Sequence, residues 1–189
     1  MERTFKMIKV IDNFLDKNDF NVVQEAVMDA NFPWFHFDQP VNTTHLQSDW
    51  DKTPQEIENE TERVSDFFFM VHMLYDNQNP NAANKEDALN AILPITTKLK
   101  VKELIRVKIN SYPNQGKLIE HMWHVDTDYK HKGCLLALNT CDGYTKFKDG
   151  DTKVDSVANR AILFDPSIEH TGTNTTTAQR RVNININYF

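Results

Sequence analysis

From Arg181 to Asn187 the chain alternates polar and apolar side chains without interruption: Arg181-Val182-Asn183-Ile184-Asn185-Ile186-Asn187. In a strand, successive side chains point to opposite faces, so Val182, Ile184 and Ile186 share one face and Arg181, Asn183, Asn185 and Asn187 the other. A strand with an arginine and three asparagines on its inner side builds no apolar core there. It lines a polar cavity, while its other face meets the core.

The same texture begins at residue 104. Over 104–112, Ile105, Val107 and Ile109 fall on one face and Arg106, Lys108, Asn110 and Tyr112 on the other. Short runs of strand character follow at 120–126, 133–139, 144–147, 152–155, 160–164, 169–171 and 180–188. Regular short strands are the signature of a sandwich or barrel. Lys148-Asp149-Gly150-Asp151 reads as a hairpin turn. The fold class is therefore mainly β (α+β), a jelly roll with supporting N-terminal helices.

Upstream, residues 6–12 alternate like a strand. Asp16 or Asn18 caps a helix running through Asp29, with Phe20, Val23, Val27 and Ala30 on one face. The stretch 31–54, with Trp34 and Trp50, reads as a long irregular loop that either covers a site or packs on the core. A buried strand is expected over 67–75, an Asn-rich loop over 77–84, and a helix over 85–99 on Leu89, Ile92 and Leu93, kinked at Pro94. The expected organisation is a single domain, 1–189, with helical support and variable loops in 1–103 and the β core with the site in 104–189.

Composition narrows the function classes. Apolar residues make up 40% and charged residues 25%, as in a soluble globular protein. A net charge of −6 disfavours a generic binder of nucleic-acid phosphates. Cys134 and Cys141 are the only thiols and form no Cys-x-x-Cys, so neither a disulfide framework nor a zinc knuckle is expected. The opening Met1-Glu2-Arg3-Thr4 leads into no apolar signal core, and no apolar run is long enough to span a membrane. The expectation is a cytoplasmic protein with no membrane contact and no implied partner chain.

Chemistry concentrates in His124-Val125-Asp126 and in His170, 44 residues after Asp126. An imidazole and a carboxylate two residues apart in a strand share a face. A second imidazole from a distant strand completes two histidines and one carboxylate on one side of a metal, the facial arrangement of non-haem iron(II) sites. The triplet alone is weak evidence. Seven His and 17 Asp in 189 residues give about 0.6 His-x-Asp by chance, and a second one exists at His36-Phe37-Asp38. Context separates the two. Arg181 lies 11 residues after His170, and its planar fork suits the distal carboxylate of a 2-oxo diacid. Tyr112, just before Pro113, is placed to donate its hydroxyl to the same carboxylate. Arg180 falls on the opposite face as a solvated charge. His121, three residues before His124, is expected on the opposite face too, and His131 in a basic loop; both read as structural or solvated.

Tyr112-Pro113, His124-Val125-Asp126, Asn159-Arg160-Ala161-Ile162-Leu163-Phe164, His170 and Arg181-x-x-Ile184-x-Ile186 together resemble the 2-oxoglutarate/iron(II) dioxygenase superfamily. The branch most similar is the prolyl-4-hydroxylase-like one, including small members encoded by phages and marine bacteria. The resemblance covers 104–189, and Phe14-Leu15 with the following helix is similar to that branch's opening. It implies a double-stranded β-helix (jelly roll, cupin-like), His124, Asp126 and His170 as iron ligands, and Arg181 and Tyr112 as 2-oxoglutarate contacts. It further implies Fe(II), 2-oxoglutarate and O2 as cofactor and co-substrates, ascorbate as a reductant, and hydroxylation coupled to conversion of 2-oxoglutarate to succinate.

The sequence departs from that branch in places. The His170-to-Arg181 offset is slightly long for it, which leaves Arg180 open as the anchor if a bulge intervenes. Asn110-Ser111-Tyr112 and Arg181-Val182-Asn183 also resemble AlkB-type nucleic-acid demethylases, which carry a longer His-to-Arg spacing and a second arginine where this chain has Asn187. A catalytically silent jelly-roll module that binds metal or ligand is the remaining alternative. The acidic Asp126 speaks against a halogenase. The substrate class is a protein, peptide or small molecule in preference to nucleic acid, in a host cytoplasm if the chain is phage-encoded.

Overall fold

The computed structural model describes residues 8–37, 68–77, 90–126 and 129–189. Asp38, His45, Trp50, Phe67, most of the Asn-rich loop and Leu89 lie outside them. The spine is β10 (Arg180–Tyr188), which pairs antiparallel with β4 (Leu104–Pro113) on one side and β5 (Lys132–Ala137) on the other. Val182, Ile184 and Ile186 are wholly buried and cluster with Val107, Ile109, Cys134 and Leu136.

Two helices cover that apolar face. In α1 (Lys17–Met28), Asp16 is the cap, its Oδ1 accepting from the backbone N–H groups of Asn18 and Asp19 at 3.1 and 3.0 Å. Phe20, Val23 and Val27 recur at helical spacing and are buried against the sheet, whereas Ala30 lies past the helix end and is exposed. In α2 (Leu93–Leu99), Pro94 stands in the first turn, where its missing N–H costs nothing; Asn90 and Ala91 are helical as well, and the run is interrupted at Ile92, two residues before the proline. That sets the helix phase: Ile92 and Ile95 are buried, and Leu93, expected on the apolar face, is 57% exposed. The Phe14-Leu15 opening and the Asn159-Arg160 segment meet directly, because the Asn159 amide accepts from Leu15 N and donates to Leu15 O, both at 2.9 Å.

The larger sheet has the order β1-β8-β5-β10-β4-β3-β2, with β1 at Lys9–Ile11, β2 at Phe35–Phe37, β3 at Phe69–Asp76 and β8 at Ala161–Phe164. The smaller has the order β7-β6-β9, from Thr152–Asp155, Tyr144–Phe147 and His170–Gly172. Bridges Glu120↔Thr173 and His124↔His170 lay the segment 120–124 along the free side of β9. Seven of the eight runs expected from residue 104 onward are strands, whereas 120–126 makes only these isolated bridges; together they form two four-membered layers, β8-β5-β10-β4 facing β7-β6-β9 and the 120–124 segment. This is a double-stranded β-helix. The β6–β7 hairpin closes through a 3₁₀ turn, Asp149–Asp151, in which Gly150 takes φ 71°.

The first 103 residues contribute more than helices and loops, since β1, β2 and β3 extend the larger sheet at both edges. Part of the stretch expected to be irregular is a strand, with Phe35 paired to Val71 and His36 to Met70. Strand β3 is half-buried, not buried throughout. Phe69, Val71 and Leu74 turn inward, with a register shift between Met73 and Tyr75. No helix among the described residues is long and apolar enough to cross a membrane.

Candidate metal centre and anion site

His124 and His170 meet as a bridge pair. Each backbone N–H donates to the other residue's carbonyl at 2.9 Å, and the ring centroids are 4.4 Å apart. Asp126 follows two residues later, and one ligand atom from each of the three lies within 4.8 Å of the others. Strand pairing therefore brings together residues far apart in sequence. His170 Nδ1 bonds the Ile168 carbonyl at 2.9 Å and His124 Nδ1 lies 3.3 Å from that of Met122. An imidazole tied through Nδ1 to a backbone carbonyl presents Nε2 as its ligand atom. Phe147 and Phe164 pack on the His170 ring at 5.8 and 5.1 Å and restrict its rotation.

The protonation states suit a cation. Burial, reinforced by His170, lowers the His124 imidazole to about 3, so it is neutral near pH 7. Burial alone would raise the Asp126 carboxyl. Arg106, the two imidazoles and a hydrogen bond from Asn185 outweigh it and hold the group well below the usual carboxylate range. Arg106 Nη2 donates to Asp126 Oδ1 at 2.7 Å, and Asn185 Nδ2 to Oδ2 at 3.1 Å. A neutral His124 imidazole and an ionised Asp126 carboxylate are ligand-ready forms, and together with the His170 imidazole they make a donor set that iron(II), a borderline divalent metal, fits.

Beyond His170 along β9 lies a buried guanidinium. Arg181 is 3% exposed; its Nη1 donates to the Thr173 carbonyl at 2.9 Å and its Nη2 to Thr145 Oγ1 at 2.8 Å. Its Nε is buried with no hydrogen-bond partner, and among the described residues no carboxylate forms an ion pair with it. A buried charge left unpaired costs several kcal/mol, on the order of 3–5 when a partner is removed, so the site is suited to an anion. Two glycines make room for the arginine. A Cβ at Gly172 would lie 3.1 Å from Arg181 Nη1, and one at Gly143 would lie 2.6 Å from Arg181 Cδ and 2.4 Å from the Asn174 carbonyl. Gly172 is two strand residues from His170, roughly 6.6 Å, so cation and anion sites adjoin.

Tyr112 is the direct cross-strand partner of Arg181, whose guanidinium carbon lies 5.8 Å from the phenol ring centroid. Burial raises the Tyr112 hydroxyl to about 12, which keeps it a hydrogen-bond donor near neutral pH. Arg180 is turned away, stacked over Trp34 at 5.4 Å with Nη2 3.5 Å from the Met28 carbonyl. The β10–β4 register runs without a shift from Arg180 to Asn187, so no bulge exchanges the two arginines.

No family model matches this chain, and no curated protein matches it in sequence. Solved structures do match in three dimensions. The viral collagen prolyl hydroxylase of Paramecium Bursaria Chlorella virus-1, in complex with 2-oxoglutarate, is 13% identical with a TM-score of 0.57, over 97% of this chain and 96% of that one. The epimerase SnoN of nogalamycin biosynthesis, non-haem and α-ketoglutarate-dependent, is 10% identical with a TM-score of 0.63, over 97% and 78%. A prolyl hydroxylase from Trichoplax adhaerens, solved with a hypoxia-inducible-factor peptide, is 13% identical with a TM-score of 0.56, over 98% and 84%. The chain has the fold of the 2-oxoglutarate/iron(II) dioxygenases.

Within this dioxygenase fold one residue stands where sequence spacing did not put it. His121 N donates to the Gly172 carbonyl and His124 N to that of His170, so three residues on one segment span two on the other. That one-residue bulge reverses the strand phase. It turns His121 inward, its ring 4.8 Å from Tyr112. Burial, with Arg181 and His124 nearby, lowers the His121 imidazole well below its ordinary value. The decoy His36 is exposed on β2, in register with Met70 at the edge of the larger sheet, whereas His170 lies on β9 of the smaller sheet with His124 bridged to it. His131 is buried, its Nδ1 on the Tyr129 carbonyl at 2.9 Å and its Nε2 3.2 Å from the Asn187 amide.

The inner face of the larger sheet is a ladder of polar cross-strand pairs: Arg181 with Tyr112, Asn183 with Asn110, Asn185 with Lys108, Asn187 with Arg106. Sequence alternation foretold the face but not the partners. Thr145, Thr173, Gly143 and Gly172 escaped sequence reasoning; Arg106 was placed on the polar side of the 104–112 alternation, but its partner Asp126 was not foreseen.

Proposed function

We propose that this chain is a 2-oxoglutarate- and Fe(II)-dependent dioxygenase that hydroxylates its substrate. The observation that carries the reading is the buried Arg181, with an idle Nε and, among the described residues, no carboxylate paired with it, on the same interior as His124, Asp126 and His170. In this reading the two imidazoles and the Asp126 carboxylate hold the metal from one side. Arg181 grips the distal carboxylate of 2-oxoglutarate, Tyr112 donates its hydroxyl to it, and Gly143 and Gly172 keep the guanidinium's path open. The β4–β10 ladder shields the site from bulk water on one wall. Bound Fe(II), with 2-oxoglutarate and O2, supplies the oxidising equivalent for substrate C–H oxidation, and succinate and carbon dioxide leave. Ascorbate is the fitting reductant for assays. A protein, peptide or small molecule is the favoured substrate class, consistent with the net charge of −6, and the cytoplasm the favoured compartment.

The test is anaerobic calorimetry with Mn(II) or Fe(II), followed by 2-oxoglutarate, and then aerobic succinate release across candidate peptides and small molecules. Metal-dependent 2-oxoglutarate binding with substrate-stimulated succinate supports the proposal. Absence of metal-dependent binding would sink it. Binding with no stimulated succinate from any candidate would identify a silent binding module instead.

A further inference from the structure

Asp126 is the one carboxylate among the three proposed ligands, and protein donors already engage both of its oxygens. Oδ1 accepts from Arg106 Nη2 at 2.7 Å and Oδ2 from Asn185 Nδ2 at 3.1 Å. In the orientation that satisfies both ends of its amide, Asn187 turns its nitrogen to Asp126 Oδ2 at 3.3 Å and to His131 Nε2 at 3.2 Å, while its oxygen accepts from Arg106 Nη2 at 2.9 Å. Arg106 stands directly opposite Asn187 in the β4–β10 register. The guanidinium thus reaches the carboxylate from the neighbouring strand, and Asn187 braces it. The Asp126 side chain is 4% exposed and that of Arg106 24%, so the pair is shielded enough for a charge-assisted hydrogen bond to fix geometry.

We propose that Arg106 is a positioning residue for the metal: by holding Oδ1 of Asp126 it makes the carboxylate a one-oxygen ligand beside the two imidazoles. The inference rests on the reading of His124, Asp126 and His170 as a metal site. It has a chemical consequence. A carboxylate restrained to one oxygen leaves positions on the ion for other ligands, and it serves poorly a cation such as Ca²⁺ that collects six to eight oxygens.

Two effects of removing Arg106 oppose each other, and their signs differ. A guanidinium near the site repels a cation, so loss of charge alone would tighten metal binding. Loss of positioning would weaken it, by about 10–100-fold as for other groups that orient metal ligands.

The experiment measures Mn(II) affinity by calorimetry, and the visible spectrum of the Co(II) form, without 2-oxoglutarate, for the full chain and for Arg106→Gln and Arg106→Lys. We expect Arg106→Gln to weaken Mn(II) at least about tenfold and to change the Co(II) spectrum, as the carboxylate rearranges around the ion. Arg106→Lys, which keeps a charged donor and folds if the glutamine variant does not, should recover part of both. Unchanged or tighter Mn(II) binding in these variants overturns the proposal, as does weaker binding with an unaltered Co(II) spectrum. Failure of the unsubstituted chain to bind either ion overturns the metal-site reading itself, and this inference with it; that result is read without any variant.

Discussion

Arg181 on β10 and Tyr112 on β4 are direct cross-strand partners, with the guanidinium carbon 5.8 Å from the phenol ring centroid. The pairing places a cation and a hydroxyl donor on one spot of the inner wall, and it separates the roles of two adjacent arginines. Arg181 is buried in the interior, whereas Arg180 lies over Trp34 on the other face. Arg181→Ala should raise the 2-oxoglutarate concentration required by about 100-fold, the loss of one buried charged hydrogen-bonded contact of roughly 3 kcal/mol. Arg180→Ala should leave it within about twofold. Calorimetric 2-oxoglutarate titrations of both variants decide the matter, and a reversed order would refute the assigned register.

The two His-x-Asp triplets make opposite predictions. His124→Ala removes a ligand from a group whose donor atoms lie within 4.8 Å of one another, so Mn(II) binding should vanish. His36 is exposed on β2, and His36→Ala should bind Mn(II) like the unsubstituted chain. Equal loss in both would mean that the wrong triplet had been chosen.

Glycines 143 and 172 should respond differently to alanine. At Gly143 the new Cβ meets a backbone carbonyl, that of Asn174, at 2.4 Å. Backbone cannot yield as a side chain can, so Gly143→Ala should lose about 2 kcal/mol or more of stability in chemical denaturation. At Gly172 the contact is the end of the Arg181 side chain at 3.1 Å. Gly172→Ala should remain folded near the original midpoint while binding 2-oxoglutarate several-fold more weakly. Unaltered 2-oxoglutarate affinity in Gly172→Ala would contradict the location of the anion site.

The metal-free protein should lose stability as acid is added. His124 has its folded value lowered to about 3, against 6.5 for the free side chain. Between these limits the unfolded chain takes up a proton that the folded chain refuses, so the free energy of unfolding rises with pH across that window. The stabilisation is complete above 6.5 and falls by about 1.4 kcal/mol per pH unit below it, until pH about 3. Denaturation midpoints from pH 7 to pH 4 should fall less steeply in His124→Gln; parallel curves would refute a buried neutral imidazole.

Legibility followed the range of the cause. The helix cap at Asp16 and the face Phe20, Val23 and Val27 were readable because capping and helical spacing act within a few residues. Leu93 was misplaced because the point at which α2 begins depends on Pro94 and on how Ile92 and Ile95 meet the sheet. His121 was misplaced for a related reason. Its phase depends on a bulge that exists only in relation to β9, and a sequence pattern carries no sign of which strand will lie alongside.

By itself the sequence determined which side chains are available and which strands are two-faced. The alternation of Arg181 to Asn187 against Val182 to Ile186 is set by the two-residue period of a strand, whatever lies beside it. The tertiary structure alone decided the neighbours: His170 against His124, Arg106 on Asp126, Gly143 and Gly172 beneath Arg181. Those relations come from cross-strand register between segments distant in the chain, where a one-residue slip would turn every partner to the opposite face.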